Sequence, residues 1–227
     1  METKKILSIF SKPSIISIIA DVNTGKSNLL YFLLESLKKE FKFNLYTYGL
    51  RNEIEGARCI YSVSELEEIR DSLIVLDEFN SLFNIEDRTQ RKQIENSLRL
   101  INHNNNILVL CGTGDNFKKF IASKTDIFIF KKITYANLIN GSTAKKVIKN
   151  YQGYESGSEL LNLPVDECLI FDTHYEKLKI PYMKEYDSKL KNEPIFTKSM
   201  EKSGESVTKI VEPKIETSRE IKVTKSS

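Results

Sequence analysis

The sequence predicts an α/β fold of three layers, with helices on both faces of a mainly parallel central sheet. Four apolar runs of strand length recur along the chain. Longer segments between them have the apolar spacing of amphipathic helices. Because strands and helices alternate, we expect the strands to lie parallel and the crossover helices to cover the sheet.

The predicted strands are rich in branched aliphatic and aromatic residues. The four most apolar runs predict strands buried on both faces: residues 14–20, 72–76, 107–111 and 127–130. Residues 43–48 alternate in polarity and predict a further strand. Residues 169–171 predict a last strand near the edge of the domain.

The predicted helices follow from apolar side chains at helical spacing. Residues 26–41 predict a helix whose apolar face consists of Leu29, Leu30, Leu33, Leu34, Leu37 and Phe41. Residues 86–102 predict a second helix that turns Ile94, Leu98 and Ile101 inward. Ser62 and Glu65 have the spacing of a capping box, which predicts a short helix to about Arg70. Residues 116–122 predict a further helix.

The composition argues against several classes of protein. A chain of 227 residues with 40% hydrophobic and 29% charged residues is typical of a soluble globular protein. The net charge of +3 is too small to demand nucleic acid or a membrane as a partner. Cys59, Cys111 and Cys168 lie far apart, which argues against a disulfide framework or a zinc site. Reduced thiols and the absence of a long apolar run predict a cytoplasmic protein with no membrane partner.

The segment between the first strand and the first helix resembles a phosphate-binding loop. Ala20-Asp21-Val22-Asn23-Thr24-Gly25-Lys26-Ser27 follows G-x-x-x-x-G-K-[ST] except at Ala20. Gly25 lets the backbone approach a phosphate, and the loop N–H groups add positive potential. Lys26 would reach the β- and γ-phosphates, and the Ser27 hydroxyl would bind Mg²⁺. The predicted nucleotide-binding residues are Asp21, Val22, Asn23, Thr24, Gly25, Lys26, Ser27 and Asn28.

Two carboxylates follow the second strongly apolar strand. Residues 73–76 are apolar, and Asp77 and Glu78 come directly after them. A buried strand would deliver both to the sheet edge where the phosphate loop lies. Asp77 would hold Mg²⁺ through a water, and Glu78 would be the general base that polarises the attacking water. Taken alone, this pattern also fits a strand that ends in a solvated loop.

The two motifs together resemble the Walker A and Walker B motifs of P-loop NTPases with a catalytic glutamate. This combination is typical of the additional-strand division, which includes RecA-like, FtsK/HerA-like and AAA+ ATPases. The resemblance covers residues from about 10 to 135 and implies a three-layer αβα P-loop NTPase fold with Mg²⁺ and ATP as ligands. It also implies an extra strand between the strands that carry the two motifs. No Asn-Lys-x-Asp element is present, which disfavours a GTPase.

Within that division, the chain most resembles small ATPases of phages and mobile elements, such as packaging motors and zonular-occludens-toxin-like proteins. The resemblance assigns a polar sensor of the γ-phosphate to the turn after residue 111. Thr113 is the first candidate for this catalytic role and Asn116 the second. An ordinary turn that contains Gly112 and Gly114 is the alternative.

Four arginines are candidates for a finger that acts on a neighbouring subunit's nucleotide in a homo-oligomer. They are Arg51, Arg88, Arg91 and Arg99. Those at 88, 91 and 99, together with Lys92, would also suit contacts with DNA phosphates. The alternative is a solvated helix face, because Glu86, Asp87 and Glu95 are close enough in sequence to form ion pairs with the arginines at 88 and 91.

A second basic cluster lies further along the chain and includes one aromatic side chain. Its residues are Lys118, Lys119, Lys124, Lys131, Lys132, Tyr135, Lys145, Lys146 and Lys149. Such a cluster suits a nucleic-acid surface, although charge runs are also common on solvated surfaces. We predict a P-loop ATPase domain over residues 1–186 and a disordered charged tail over 187–227, which is a candidate tether for a protein partner.

Three functions therefore compete. The first is a motor ATPase, a ring that translocates or packages DNA in a bacterial or phage-infected cytoplasm. The second is a nucleotide-gated assembly or loader factor that acts on a protein partner with slow turnover. The third, a small-molecule kinase, is disfavoured by the glutamate at position 78.

Overall fold

The computed structural model describes residues 7–50, 54–83, 87–114, 117, 119–136, 158–172 and 175–183. The candidates Arg51, Asn116, Lys118 and Lys145, together with the tail, lie outside these residues. The described residues belong to one unit that spans Met1–Lys191. The domain boundary at residue 186 and the disorder of the tail remain predictions.

The described residues form an eight-stranded sheet with flanking helices. Its strands are β1 (Ser14–Ile19), β2 (Asn44–Tyr48), β3 (Ala57–Cys59), β4 (Ser72–Asp77), β5 (Ile107–Gly112), β6 (Ile127–Phe130), β7 (Glu167–Phe171) and β8 (Tyr175–Lys179). The helices are α1 (Lys26–Glu40), α2 (Arg88–His103), α3 (Lys119–Ala122) and α4 (Ser158–Leu161). Two 3₁₀ helices span Val63–Glu67 and Phe79–Ser81.

The strand order is β3-β2-β4-β5-β1-β6-β7-β8. The pairs from β3 to β6 are parallel, whereas β7 runs antiparallel to β6 and β8 antiparallel to β7. The predicted α/β fold with a mainly parallel sheet is confirmed. The implied extra strand is also present, because β5 lies between β1 and β4.

Alternate side chains of each central strand enter two separate cores, one on each face of the sheet. On β4, Leu73 and Val75 pack on the side of α1, while Ile74 and Leu76 pack on the side of α2. Because neighbouring strand residues point to opposite faces, a strand covered on both sides must be apolar throughout. This explains the unbroken apolar runs and gives the three layers that the sequence predicts.

Local capping sets where the helices on the α2 face begin. The Asp87 side chain caps α2 by accepting hydrogen bonds from Thr89 N at 2.7 Å and Gln90 N at 3.3 Å. Ser62 and Glu65 form the predicted capping box, with Ser62 N donating to Glu65 Oε1 at 2.8 Å. The helix that follows is a 3₁₀ helix ending at Glu67 rather than a helix reaching Arg70.

The strand at residues 169–171 is not the last, because β7 begins at Glu167 and β8 follows it. The sequence did not predict β3 and β8, because short strands with mostly exposed side chains lack a continuous apolar run. Only Leu178 of β8 is buried, and β3 is three residues long with no buried side chain. None of the described helices is long and apolar enough to cross a membrane.

We predict that Asn106→Ala destabilises the fold by about 3 kcal/mol, because it removes a buried amide and leaves the two main-chain groups that it binds without a partner. The Asn106 side chain accepts from Ser72 N at 3.1 Å and donates to Ile69 O at 2.8 Å, and the residue is 0% exposed. Urea denaturation measures the loss. The exposed Asn102→Ala is the control and should stay within about 0.5 kcal/mol. Equal losses in the two variants would contradict the prediction.

Candidate nucleotide-binding site

The predicted site residues meet at one edge of the sheet, where the parallel strands β1, β5 and β4 end. Ile19 at the end of β1 pairs with Gly112, and Asp77 at the end of β4 pairs with Cys111. The phosphate-loop sequence and the carboxylate pair therefore lie on either side of β5. This is the edge at which open α/β sheets bind ligands.

The backbone of residues 20–27 forms a turn suited to an anion. Asn23 and Gly25 have φ values of 61° and 87°, both in the left-handed region. Thr24 Oγ1 donates to Asp21 O at 2.7 Å, and Leu29 N donates to Gly25 O at 3.0 Å as α1 begins. Successive N–H groups in such a turn form a concave anion-binding nest at the helix N-terminus.

Ala20, the departure from the motif, occupies a position that needs no glycine. Its N–H donates to Gly112 O at 3.1 Å, so the residue continues the ladder between β1 and β5. Its φ is not positive, and its methyl group is fully buried. Alanine therefore fits here without strain.

Gly25 does need to be glycine, for two reasons. Its φ of 87° is one that L residues rarely adopt. A Cβ at this position would also lie 2.9 Å from Val165 O and 3.1 Å from Val165 Cγ1. The turn before β7 thus packs directly on the phosphate loop, a contact that the sequence did not reveal.

Two of the predicted nucleotide-binding side chains instead fasten the loop to the rest of the domain. The Asp21 carboxylate accepts a hydrogen bond from Thr134 N. The Asn28 amide donates to Pro181 O at 3.0 Å and accepts from Met183 N at 2.7 Å. Val22, at the tip of the loop, is 76% exposed. The loop is therefore anchored at its base and open at its tip.

Lys26 joins the phosphate loop to the carboxylate pair. Its Nζ donates to Glu78 Oε1 and lies 3.2 Å from Asp77 Oδ1. Partial burial lowers the pKa of Lys26, but Cys111, Glu78 and Asp77 raise it by more, so the net shift is upward. The lysine therefore stays charged at neutral pH, as a phosphate ligand must.

Asp77 is a buried carboxylate whose negative charge is stabilised by Lys26. The residue is 6% exposed. Burial raises the pKa of Asp77, and the Lys26 charge offsets only part of this rise. Asp77 Oδ1 also accepts from Glu78 N at 3.0 Å. These contacts fix the carboxylate at the end of β4.

Glu78 has a left-handed backbone, with φ 50° and ψ 45°. Its carbonyl accepts from Ser81 N at 3.0 Å and Ser81 Oγ at 2.8 Å, while Tyr48 Oη lies 3.0 Å from Ser81 Oγ. A non-glycine residue in this region stores roughly 1 kcal/mol or more of strain, and such strain is common at functional sites. The glutamate side chain is 52% exposed, so water can reach it.

Ser27, at the start of α1, and Asp77, at the end of β4, carry the oxygens that the two motifs assign to Mg²⁺. Mg²⁺ keeps several waters and usually takes one or two protein oxygens together with phosphates. In the part of the chain that the structure describes, no group of three or more His, Cys, Asp or Glu side chains could hold a metal.

The remaining candidates are placed as follows. Thr113 is half-buried just after β5, between the ends of the two motif strands. Arg88 and Arg99 are exposed on α2. Arg91 is engaged within the domain, because it pairs with Glu95 at 3.3 Å and its guanidinium lies 4.8 Å from the Phe120 ring centroid.

Lys131, predicted as part of a basic surface, is not on the surface at all. It is 0% exposed, whereas its neighbour Lys132 is exposed. The interpretation of Lys131 as a nucleic-acid contact is therefore wrong.

Sequence reasoning also missed three residues around Glu78, namely Tyr48, Gly49 and Ser81. No local pattern marks Tyr48 and Gly49, because the pairing of β2 with β4 brings them to this site. Ser81 binds the Glu78 carbonyl from three residues along the chain.

No protein-family model matches the chain, and none of the curated proteins matches its sequence. Solved structures are similar in fold. B204, the DNA-packaging ATPase from Sulfolobus turreted icosahedral virus, is 16% identical with a TM-score of 0.58, over 75% of this chain and 99% of B204. B204 from Sulfolobus turreted icosahedral virus 2 in complex with ATPγS is 15% identical with a TM-score of 0.56, over 75% of this chain and 98% of that chain.

A third similar structure is the pCW3 conjugation coupling protein TcpA with ATPγS. It is 14% identical with a TM-score of 0.54, over 80% of this chain and 66% of TcpA. At these identities the likeness establishes the fold. The chain therefore has the fold of P-loop NTPases, as its two motifs predict.

We predict that Gly49→Ala disturbs the carboxylate pair. A Cβ on Gly49 would lie 2.2 Å from Asp77 O, and the residue has φ 73°. Gly56 has φ 81° but nothing within 4 Å of an added Cβ, so Gly56→Ala is the matched control. Urea denaturation should give a loss of about 1 kcal/mol for the control and about 2 kcal/mol more for Gly49→Ala. Equal losses would show that Asp77 tolerates the methyl group.

Proposed function

We propose that the protein is a Mg²⁺-dependent ATPase that serves a phage or mobile element as a DNA-translocating or packaging motor. The observation that carries the ATPase proposal is the contact of Lys26 with Asp77 and Glu78 beside the phosphate loop. A loop that binds anions, one cation and two carboxylates are the parts that phosphoryl transfer to water requires.

Each residue then has a distinct role. The N–H groups of residues 23–27 bind the phosphates, and Lys26 moves from the carboxylates to the β- and γ-phosphates. Ser27, and Asp77 through a water, would hold Mg²⁺, which would neutralise charge on the phosphates. Glu78 accepts a proton from the attacking water. Thr113, directly after β5, would donate to the γ-phosphate.

The motor proposal is supported by size, by fold and by exposed cations. The chain covers nearly all of B204, whose name describes a DNA-packaging ATPase. On the described surface, Lys132 is exposed and Tyr135 is 67% exposed. A homo-oligomer would let Arg88 or Arg99 reach a neighbouring subunit's nucleotide, and DNA would bind the basic residues. A cytoplasmic location and a protein partner on the tail belong to the same proposal.

One observation favours the second candidate, a nucleotide-gated assembly factor. Lys26 binds the Glu78 carboxylate that would act as the base. A base held in this way works only after a phosphate has taken the lysine, which suits a protein that changes state when it binds nucleotide. In that case turnover is slow, and the partner is a protein.

We predict that Lys26→Ala abolishes ATP binding and that Glu78→Gln preserves binding but lowers turnover by roughly 100-fold or more. The first removes the charge that the phosphates need, and the second removes only the base. Isothermal titration with ATPγS and steady-state phosphate release measure the two effects. Lys39→Ala and Glu40→Gln, exposed at the end of α1, are matched controls. Failure of the wild-type protein to bind ATP would refute the proposal.

We predict that double-stranded DNA stimulates ATP turnover, because a DNA-translocating motor couples ATP hydrolysis to movement along DNA. Phosphate release is measured with double-stranded DNA, with single-stranded DNA and without DNA, at two salt concentrations. Stimulation should weaken as salt rises, since phosphate contacts release counterions, and it should vanish in Glu78→Gln. Slow turnover that ignores DNA while ATP binding is intact would reject the motor and favour the assembly factor.

A further inference from the structure

Lys131 is a fully buried cation that the ATPase mechanism does not use. It follows β6 and is 0% exposed. Its Nζ donates to two main-chain oxygens, those of Val165 and Glu167, the latter at 2.7 Å. Among the residues that the structure describes, no carboxylate lies within ion-pair distance of it. Burial lowers the pKa of Lys131, while Cys168, Asp166 and Glu167 raise it by less. Burying a charge in this way costs folding free energy, which suggests that Lys131 has a specific role.

The two oxygens belong to the turn that packs on the phosphate loop. Glu167 N donates to Pro164 O at 3.1 Å, which closes the turn over residues 164–167. Val165 O lies 2.9 Å from the position of a Cβ on Gly25, and Lys131 Cε lies 3.4 Å from the same point. Lys131, the turn at residues 164–167 and Gly25 are therefore packed against one another.

The backbone next to Lys131 is tied to the same loop. Lys131 N donates to Ile19 O at 2.9 Å, and Asp21 N donates to Lys132 O at 3.3 Å. Lys131 is thus connected to both ends of the loop, by its main chain at the start and by the turn at Gly25. Its charge also lies on the side of the loop opposite the carboxylates' strand β4, because β6 and β4 flank β1 and β5.

We propose that Lys131 is a positioning residue for nucleotide binding, which seats the turn at residues 164–167 on Gly25 and adds a positive charge behind the phosphate loop. This inference rests on the ATPase proposal, because it assumes that the loop binds a nucleotide. The lysine touches neither phosphate nor water. It acts by keeping Gly25 in the left-handed conformation and by favouring an anion over the loop.

The test is Lys131→Met, which keeps the length of the side chain and removes its charge and hydrogen bonds. Replacing a buried ion by an apolar side chain of similar volume is often neutral for folding. We expect the Kd for ATPγS and the KM for ATP to rise by roughly tenfold, the scale of one charged hydrogen bond. Turnover at saturating ATP should change by no more than about twofold, since Glu78 is untouched.

Two further variants separate positioning from general stability. Lys131→Arg keeps the charge and the donors and should recover most of the affinity. Lys177→Met is the matched control, because Lys177 is an exposed lysine near the same turn that pairs with Glu159 at 2.7 Å and with Glu167 at 3.5 Å. It should bind ATPγS as the wild type does. Unchanged affinity in Lys131→Met, or a loss confined to turnover, would overturn the inference.

The wild-type protein supplies the last control. If it binds ATP while Lys131→Met binds equally well, only the inference about Lys131 fails; if the wild type does not bind, the ATPase proposal fails. Should Lys131→Met not fold, amide hydrogen exchange of the wild type replaces it. Saturating ATPγS should slow exchange in residues 164–168 as well as in residues 20–28. Exchange in residues 164–168 that ignores the nucleotide would overturn the inference.

Discussion

The alignment of β1, β5 and β4 is the constraint on which the rest of the site depends. Neighbouring strands lie about 4.8 Å apart, so a strand inserted between β1 and β4 separates the loop from the carboxylates by about 10 Å. Such a gap is too wide for a short side chain to cross, and Lys26 crosses it. In the proposed ATPase, the phosphates and the attacking water would lie in this gap. Ile19 pairs with Gly112 and Asp77 pairs with Cys111, so β1 and β4 end at nearly the same position along β5.

Charge balance at this edge follows from that geometry. Lys26 faces both Asp77 and Glu78, so the contact has one positive and two negative charges. A triphosphate adds further negative charge, which one lysine cannot neutralise at a buried site. In the proposed ATPase, the loop dipoles, Lys131 and a divalent cation would be the additional sources of positive potential. Buried Asp77, whose pKa is raised, benefits from any cation that enters beside it.

The sequence predicted what local patterns encode. Unbroken apolar runs located β1, β4, β5 and β6, because strands covered on both faces must be apolar throughout. The motifs located Lys26, Asp77 and Glu78, which the fold brings into contact. The weak strands β3 and β8 escaped detection, since their side chains are mostly exposed.

What the sequence could not predict comes from packing between distant segments. The turn at residues 164–167 reaches Gly25, and Pro181 reaches Asn28, across more than a hundred residues of chain. The basic neighbours of Lys131 in the sequence predict a surface cation, because no local pattern distinguishes a buried lysine from an exposed one. The antiparallel return through β7 and β8 places both segments beside the loop.

The strained backbone of Glu78 shows how rigidly the second half of the site is held. Its carbonyl is bound by Ser81, which Tyr48 supports, and Gly49 leaves no space between β2 and Asp77. The glutamate backbone is therefore fixed, and the side chain is the part that can change partner. Because its partner is Lys26, any ligand that attracts the lysine also releases the carboxylate. In the proposed ATPase, nucleotide binding and activation of the base would therefore be coupled through one contact, as expected of a protein that changes state when it binds nucleotide.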